Sequence, residues 1–162
     1  MNKNSKMEVF RFVGTILFIL YLLAVIYFMF LADGFHRGGF GQYRYNLKPF
    51  QEIYRYPRML AAYGTWTAVV NLFGNVLVFM PFGFYVPFYG RTYRKWYFVV
   101  GLSFLFSLFI ESTQLITQSG VFDVDDLMLN TLGGALGYLC YFIAFRVYVY
   151  YLRKENRGRH EN

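Results

Sequence analysis

The sequence predicts an all-α integral membrane protein, a bundle of four transmembrane helices with one long irregular outer loop. Three observations carry this. Of the 162 residues, 57% are hydrophobic, 23% aromatic and only 15% charged, a balance outside the range of soluble domains. Residues 12–31 contain no charge, and a helix of that length rises about 30 Å, the thickness of a bilayer's hydrocarbon core. Three more runs, at about 67–87, 97–117 and 127–145, are uncharged except for Glu111.

Residues 1–11 read as a polar cytoplasmic head. Lys3, Lys6 and Arg11 precede the first span, but its apolar stretch exceeds the roughly 7 to 15 residues of a signal-peptide core. "MFLADGF" is also a poor cleavage site, so the span is read as retained. Residues 12–152 form a single membrane domain whose outer loop covers about 33–65. That loop is rich in glycine and aromatics and holds Pro49 and Pro57, which suits an interfacial segment with short helical pieces near 50–54 and 57–63. In span two, Pro81 removes a backbone donor and should kink the helix near Leu77 to Pro81. The later connections are short, so spans two, three and four should be sequential antiparallel neighbours. Residues 153–162 are a basic cytoplasmic tail, expected to fray. The one cysteine, Cys140, lies in span four, so no intramolecular disulfide can form.

The net charge of +7 does not point to nucleic acid, because the cations lie at span ends and in loops. Anionic headgroups suit them better. With both termini on one side, Lys3, Lys6, Arg11, Arg91, Arg94, Lys95, Arg153, Lys154, Arg157 and Arg159 share that side, which should be the cytoplasm. Arg37, Arg44, Lys48, Arg55 and Arg58 then make the outer loop basic.

Polar residues inside the spans are the candidate site. On span three, Ser103, Ser107, Glu111 and Gln114 fall within an arc of about 80° at helical spacing. Asn71 and Asn75 share a face of span two, and Asp126, Asn130, Gly133 and Gly137 share one of span four. Under the assumed topology Asn71, Glu111, Gln114 and Asn130 all lie roughly 6 to 10 Å below the outer boundary. Carboxylates and amides at that depth normally face a bundle interior, so an outer-half polar pocket is expected.

Each residue also has a plainer use. Asn71, Asn75 and Gln114 can be interhelical glue, and Gly133 with Gly137 a close-packing pair. Asp123 can cap span four with Asp126 at its third position, and Asp125 then faces solvent beyond the turn. Ser103 and Ser107 can bond to their own helix. Glu111 has the weakest structural explanation, and Arg37, Arg44, Arg55 or Arg58 could supply a balancing cation.

The blocks "NLFGNVLVFMPFG" at 71–83, "ESTQ" at 111–114 and "FDVDDLMLNTLGGALGY" at 122–138, preceded by "NLKPFQEI" at 46–53, resemble the VanZ-like family in order and spacing. Many members carry an arginine shortly before the aspartate block, whereas this chain has "TQSGVFD" there. The resemblance implies a bacterial integral membrane protein associated with low-level resistance to teicoplanin and similar lipoglycopeptides. It implies no settled biochemical activity. The matching positions are Asn71, Asn75, Pro81, Gly83, Glu111, Gln114, Asp123, Asp126, Asn130 and Gly133.

Three functions follow. The first is binding of an amphiphile at the outer leaflet, a lipid-linked cell-wall intermediate or the lipoglycopeptide itself. Asn71, Asn75, Glu111, Gln114, Asp123, Asp126 and Asn130 would hydrogen-bond it, and Arg44, Lys48, Arg55 and Arg58 would attract a pyrophosphate. The second is a membrane enzyme with Glu111 as acid or base and Asp123 with Asp126 on Mg²⁺ or Mn²⁺, although no phosphatase signature, serine elbow or zinc spacing is present. The third is a scaffold whose polar stripe only packs helices. No cofactor or resident metal is expected under the first reading, and the oligomeric state is open.

Overall fold

The structure, a computed structural model, describes residues 3–36, 43–51, 54, 57 and 73–158. Among these residues the chain forms α1 (Lys3–His36), β1 (Tyr45–Asn46), α2 (73–85), α3 (Trp96–Thr117), β2 (Phe122–Asp123) and α4 (Val124–Gly158). The all-α class holds. The stretches Trp96–Thr117 and Val124–Lys154 are long and apolar enough to cross a membrane, and Phe12–Phe28 and Phe73–Tyr89 are shorter apolar helices. The chain divides into two compact units, Met1–Leu47 with Phe109–Asp123 and Lys48–Leu108 with Val124–Asn162.

In the first unit, α1 has 34 residues and runs well past both ends of the expected span. Phe12, Leu17, Leu20, Leu23 and Phe28 are exposed on it while Val25 is buried, as suits a helix with apolar solvent around most of its circumference. The end of α3 is closed by Gln118, whose φ of 55° puts it in the left-handed region. Ser119 N–H bonds Gln114 C=O at 3.1 Å and Gln118 N–H bonds Leu115 C=O at 3.2 Å, the pair of bonds that satisfies the last carbonyls of a helix in a Schellman motif. The chain then reaches β2, which pairs in parallel with β1, Tyr45 opposite Phe122 and Asn46 opposite Asp123. An irregular loop was expected at 45–46. A two-residue strand shows no alternation long enough to be read from sequence.

In the second unit, glycines govern the packing. A Cβ on Gly133 would overlap the carbonyl oxygen of Val76, and one on Gly137 that of Met80. The four-residue spacing on α4 thus meets the same spacing on α2, and only hydrogen can occupy the gap. Gly83 lies as close to the backbone of Gly134, and Gly134 to the side chain of Ser103. Beside this contact Phe82 stacks on Phe106 at 5.2 Å and Phe79 tilts against Phe106 at 5.6 Å, with Phe79 and Val99 fully buried. The helix α2 continues through Pro81 and tightens into a 3₁₀ turn at Val86–Tyr89, where Pro87 fits because an early turn position needs no N–H.

Two expectations about the ends need revision. The tail is helical to Gly158, making α4 35 residues long, because nothing between Phe145 and Gly158 breaks a helix. At the other end, α1 starts at Lys3 and reaches His36, into both the expected head and the expected loop. Gln51, Tyr54 and Pro57 are helical, and the rest of the pieces expected near 50–54 and 57–63 lies outside the described residues.

Candidate functional site

The first unit gathers a group around Glu111. On α3, Glu111 and Gln114 sit nearly one turn apart and are 1% and 2% exposed. Oε2 of Glu111 accepts the backbone N–H of Asp123 at 2.9 Å. The carboxylate of Asp123, itself buried, accepts Nδ2 of Asn46 at 3.0 and 3.2 Å through its two oxygens. The register explains that bond, since residues paired across a ladder project to the same face. Arg44 contributes through its backbone, its carbonyl accepting Phe122 N–H at 3.1 Å. Gly120 passes over Gln114 so closely that an added Cβ would lie 3.1 to 3.3 Å from that side chain. These bonds clamp β1 onto the α3 to α4 turn.

The outward side of that strand is different in kind. Tyr43, Tyr45 and Leu47 are 66%, 66% and 60% exposed, alternating with the half-buried Arg44 and Asn46. The buried side holds the strand, and the other side offers two aromatic rings and a leucine.

The second unit holds another set. Nδ2 of Asn75 on α2 donates to Oδ1 of Asp126 on α4 at 2.5 Å, and Nδ2 of Asn130 donates to Oγ of Ser107 at 2.9 Å. These bonds link α2 to α4 and α3 to α4. Ser103 bonds its own helix at the carbonyl of Val99, 2.9 Å away, as expected, whereas Ser107 is used between helices. Asp125, expected in solvent, is buried and accepts the N–H of Phe50 at 2.5 Å. The carboxylate ties down the backbone N–H of a residue at φ 65°, a conformation costly for phenylalanine.

Among the expected site residues, Glu111, Asp123 and Gln114 fall in the first unit together with Arg44, and Asn75, Asp126, Asn130 and the exposed Lys48 fall in the second. Glu111 and Asp126, the suggested catalytic pair, are therefore in different units. Asn71, Arg55 and Arg58 lie outside the described residues. Two participants were not selected from the sequence as site residues, Asn46 and Asp125. Asn46 opens the "NLKPFQEI" block, so the signal was present, while the burial of Asp125 depends on a partner 75 positions away.

A profile of the VanZ/LLP1 family matches residues 18–146. The chain belongs to the VanZ/LLP1 family. No curated protein and no solved structure matches it. In this VanZ-like chain the matched segment contains all the residues described above, from β1 to Asn130, so both sets of polar bonds lie within the family domain. Family membership and the apolar helices together make it a membrane protein.

Proposed function

We propose that this VanZ-like protein crosses the bacterial cytoplasmic membrane four times with both termini in the cytoplasm. It binds an amphiphile at the outer leaflet, a lipid-linked cell-wall intermediate or a lipoglycopeptide, and lowers susceptibility to teicoplanin-type antibiotics. The observation that carries the reading is the clamp on β1, in which Glu111 holds the N–H of Asp123 and Asp123 holds Asn46. Buried carboxyls are costly in an apolar medium, and here they fix a short segment whose other face is exposed and aromatic.

An amphiphile needs such a face. The rings of Tyr43 and Tyr45 can lie against sugars or the first methylenes of an acyl chain, with little entropy lost because the strand is already fixed. In sequence the same loop carries Arg44, Lys48, Arg55 and Arg58, residue types that form charge-assisted bonds to a pyrophosphate. On this reading Glu111 and Asp123 position the binding segment. In the second unit, Asn75, Asp126 and Asn130 hold the helices. The alternative, acid/base or divalent-metal chemistry on a lipid-linked substrate, requires Glu111 or Asp126 to leave the partners described above.

The test is a titration of nanodisc-embedded protein with a pyrophosphate-linked cell-wall precursor and, separately, with teicoplanin. Tyr45→Ala and Asn46→Ala should each weaken binding about tenfold, the loss of one anchoring contact. Undiminished affinity in both variants would sink the proposal. Turnover of the precursor that disappears in Asp126→Asn would establish the enzyme instead.

A further inference from the structure

We propose that the connector between α2 and α3, docked on α4 in the second unit, is a headgroup-binding surface for anionic phospholipids, distinct from the amphiphile site at β1. The connector consists of the 3₁₀ turns Val86–Tyr89 and Thr92–Arg94, followed by the start of α3 at Trp96. It presents Arg91, Arg94 and Lys95, all exposed. Its position against α4 is fixed by two contacts. Tyr138 Oη donates to the carbonyl of Arg94 at 2.8 Å, and the guanidinium of Arg94 lies 5.4 Å from the ring centre of Phe145. Arg146, the next residue on α4, rests on Phe142 at 5.0 Å, so a fourth cation lies in the turn of α4 that Arg94 contacts.

The missing countercharge points to the partner. No aspartate or glutamate occurs between residues 53 and 110 or between 127 and 154. Among the described residues Arg94, Lys95 and Arg146 rest on aromatic faces instead, Lys95 on Tyr97 at 5.8 Å. Cations on rings keep their outward N–H donors and their full charge. The first N–H groups of α3 add positive potential at the same point.

The surroundings suit a lipid better than a soluble anion. Trp96 and Tyr97 are 62% and 54% exposed beside the cations, and α3 continues from them as an apolar helix. Tryptophan, tyrosine and arginine at the end of an apolar helix are the chemistry of the headgroup level. Phosphate would meet the guanidinium groups while the glycerol and upper acyl chain lie along the rings.

The test uses the full-length chain with Trp66→Phe, which leaves Trp96 as the only one of two tryptophans. Quenching of Trp96 is measured in vesicles containing brominated phosphatidylglycerol or brominated phosphatidylcholine at equal fraction. The expected preference for the anionic lipid is about fivefold in relative association constant. It should shrink in about 1 M salt, where screening reaches only a few ångströms. Arg91→Gln with Lys95→Gln should remove it, and Arg91→Lys with Lys95→Arg should retain it, which separates charge from local folding. Equal quenching by the two lipids, a preference that persists in the glutamine double variant, or competition by millimolar inorganic phosphate would each overturn the assignment.

Discussion

The backbone N–H of Asp123 points at the carboxyl of Glu111, 2.9 Å away, so a buried acid on α3 is satisfied by the last residue of β2. The bond needs an acceptor oxygen and does not need a negative charge. Glu111→Gln should therefore leave thermal stability in detergent nearly unchanged. Glu111→Ala should cost about 2 kcal/mol, because it leaves a buried donor unpaired and opens a cavity. If Glu111→Gln keeps stability but abolishes precursor binding, the charge itself is functional and the positioning role is wrong.

The amide of Asn46 and the carboxylate of Asp123 form the second step of the clamp. Asp123→Asn brings two amides together and forfeits the charge-assisted bond, and Asn46→Ala removes the donor outright. Both should lower stability by about 1 to 3 kcal/mol. Both should also speed tryptic cleavage after Arg44, which adjoins the clamped residues. Cleavage rates equal to those of the parent chain would show that the strand is held by other means.

The glycines supply a prediction with its own control. Gly133→Ala and Gly137→Ala place a methyl group where the carbonyl oxygens of Val76 and Met80 already lie, and each should destabilise by about 1 to 3 kcal/mol as α2 is pushed off α4. Nothing lies within 4 Å of a Cβ on Gly74 or Gly101. Gly74→Ala and Gly101→Ala should be neutral or slightly stabilising, since alanine is the better helix former. Equal losses at all four positions would mean that the close approach does not matter.

These glycines also show what could be read in the sequence. Gly133 and Gly137 share a helix face by spacing alone, and their close approach followed from the pattern. So did the stripe of Ser103, Ser107, Glu111 and Gln114, all four of which are buried. Periodicity assigns a residue to a face but does not name its partner. Hence Asn130 was expected to line a pocket and bonds Ser107, and Asp125 was expected in solvent and meets the N–H of Phe50. Strands of two residues and bonds across 75 or more positions leave no local trace, which is why β1, β2 and Asn46 as a partner of Asp123 required the structure.

Phe50 is a place where stability can be gained. Its φ of 65° is unfavourable for a residue with a Cβ and costs nothing for glycine. Phe50→Gly keeps the N–H that Asp125 accepts and loses a side chain that is 49% exposed, so it should stabilise the protein by up to about 1 kcal/mol. Asp125→Ala should destabilise the parent chain, and less so the Phe50→Gly chain, where the turn no longer has to be forced. A double-variant cycle of thermal unfolding checks both statements, and strictly additive effects would dissociate the turn from the carboxylate.

Membrane orientation decides on which side of the bilayer the Glu111 group and the clamped β1 segment lie. The turn between α3 and α4 can be probed at Ser119, whose hydroxyl meets that of Thr117 at 2.8 Å and whose replacement by cysteine is small. The connector between α2 and α3 can be probed at Thr92, which is exposed. In a Cys140→Ala background, an impermeant maleimide added to intact cells should label Ser119→Cys at once and Thr92→Cys only after permeabilisation. That pattern puts Glu111, Asp123 and Asn46 near the outer leaflet, within reach of cell-wall lipid and lipoglycopeptide. It also directs the cations of the connector toward the cytoplasmic leaflet, where anionic lipid is available. Labelling in the opposite order would invert the protein, withdraw the outer-leaflet ligands and turn the search to phosphorylated substrates in the cytoplasm.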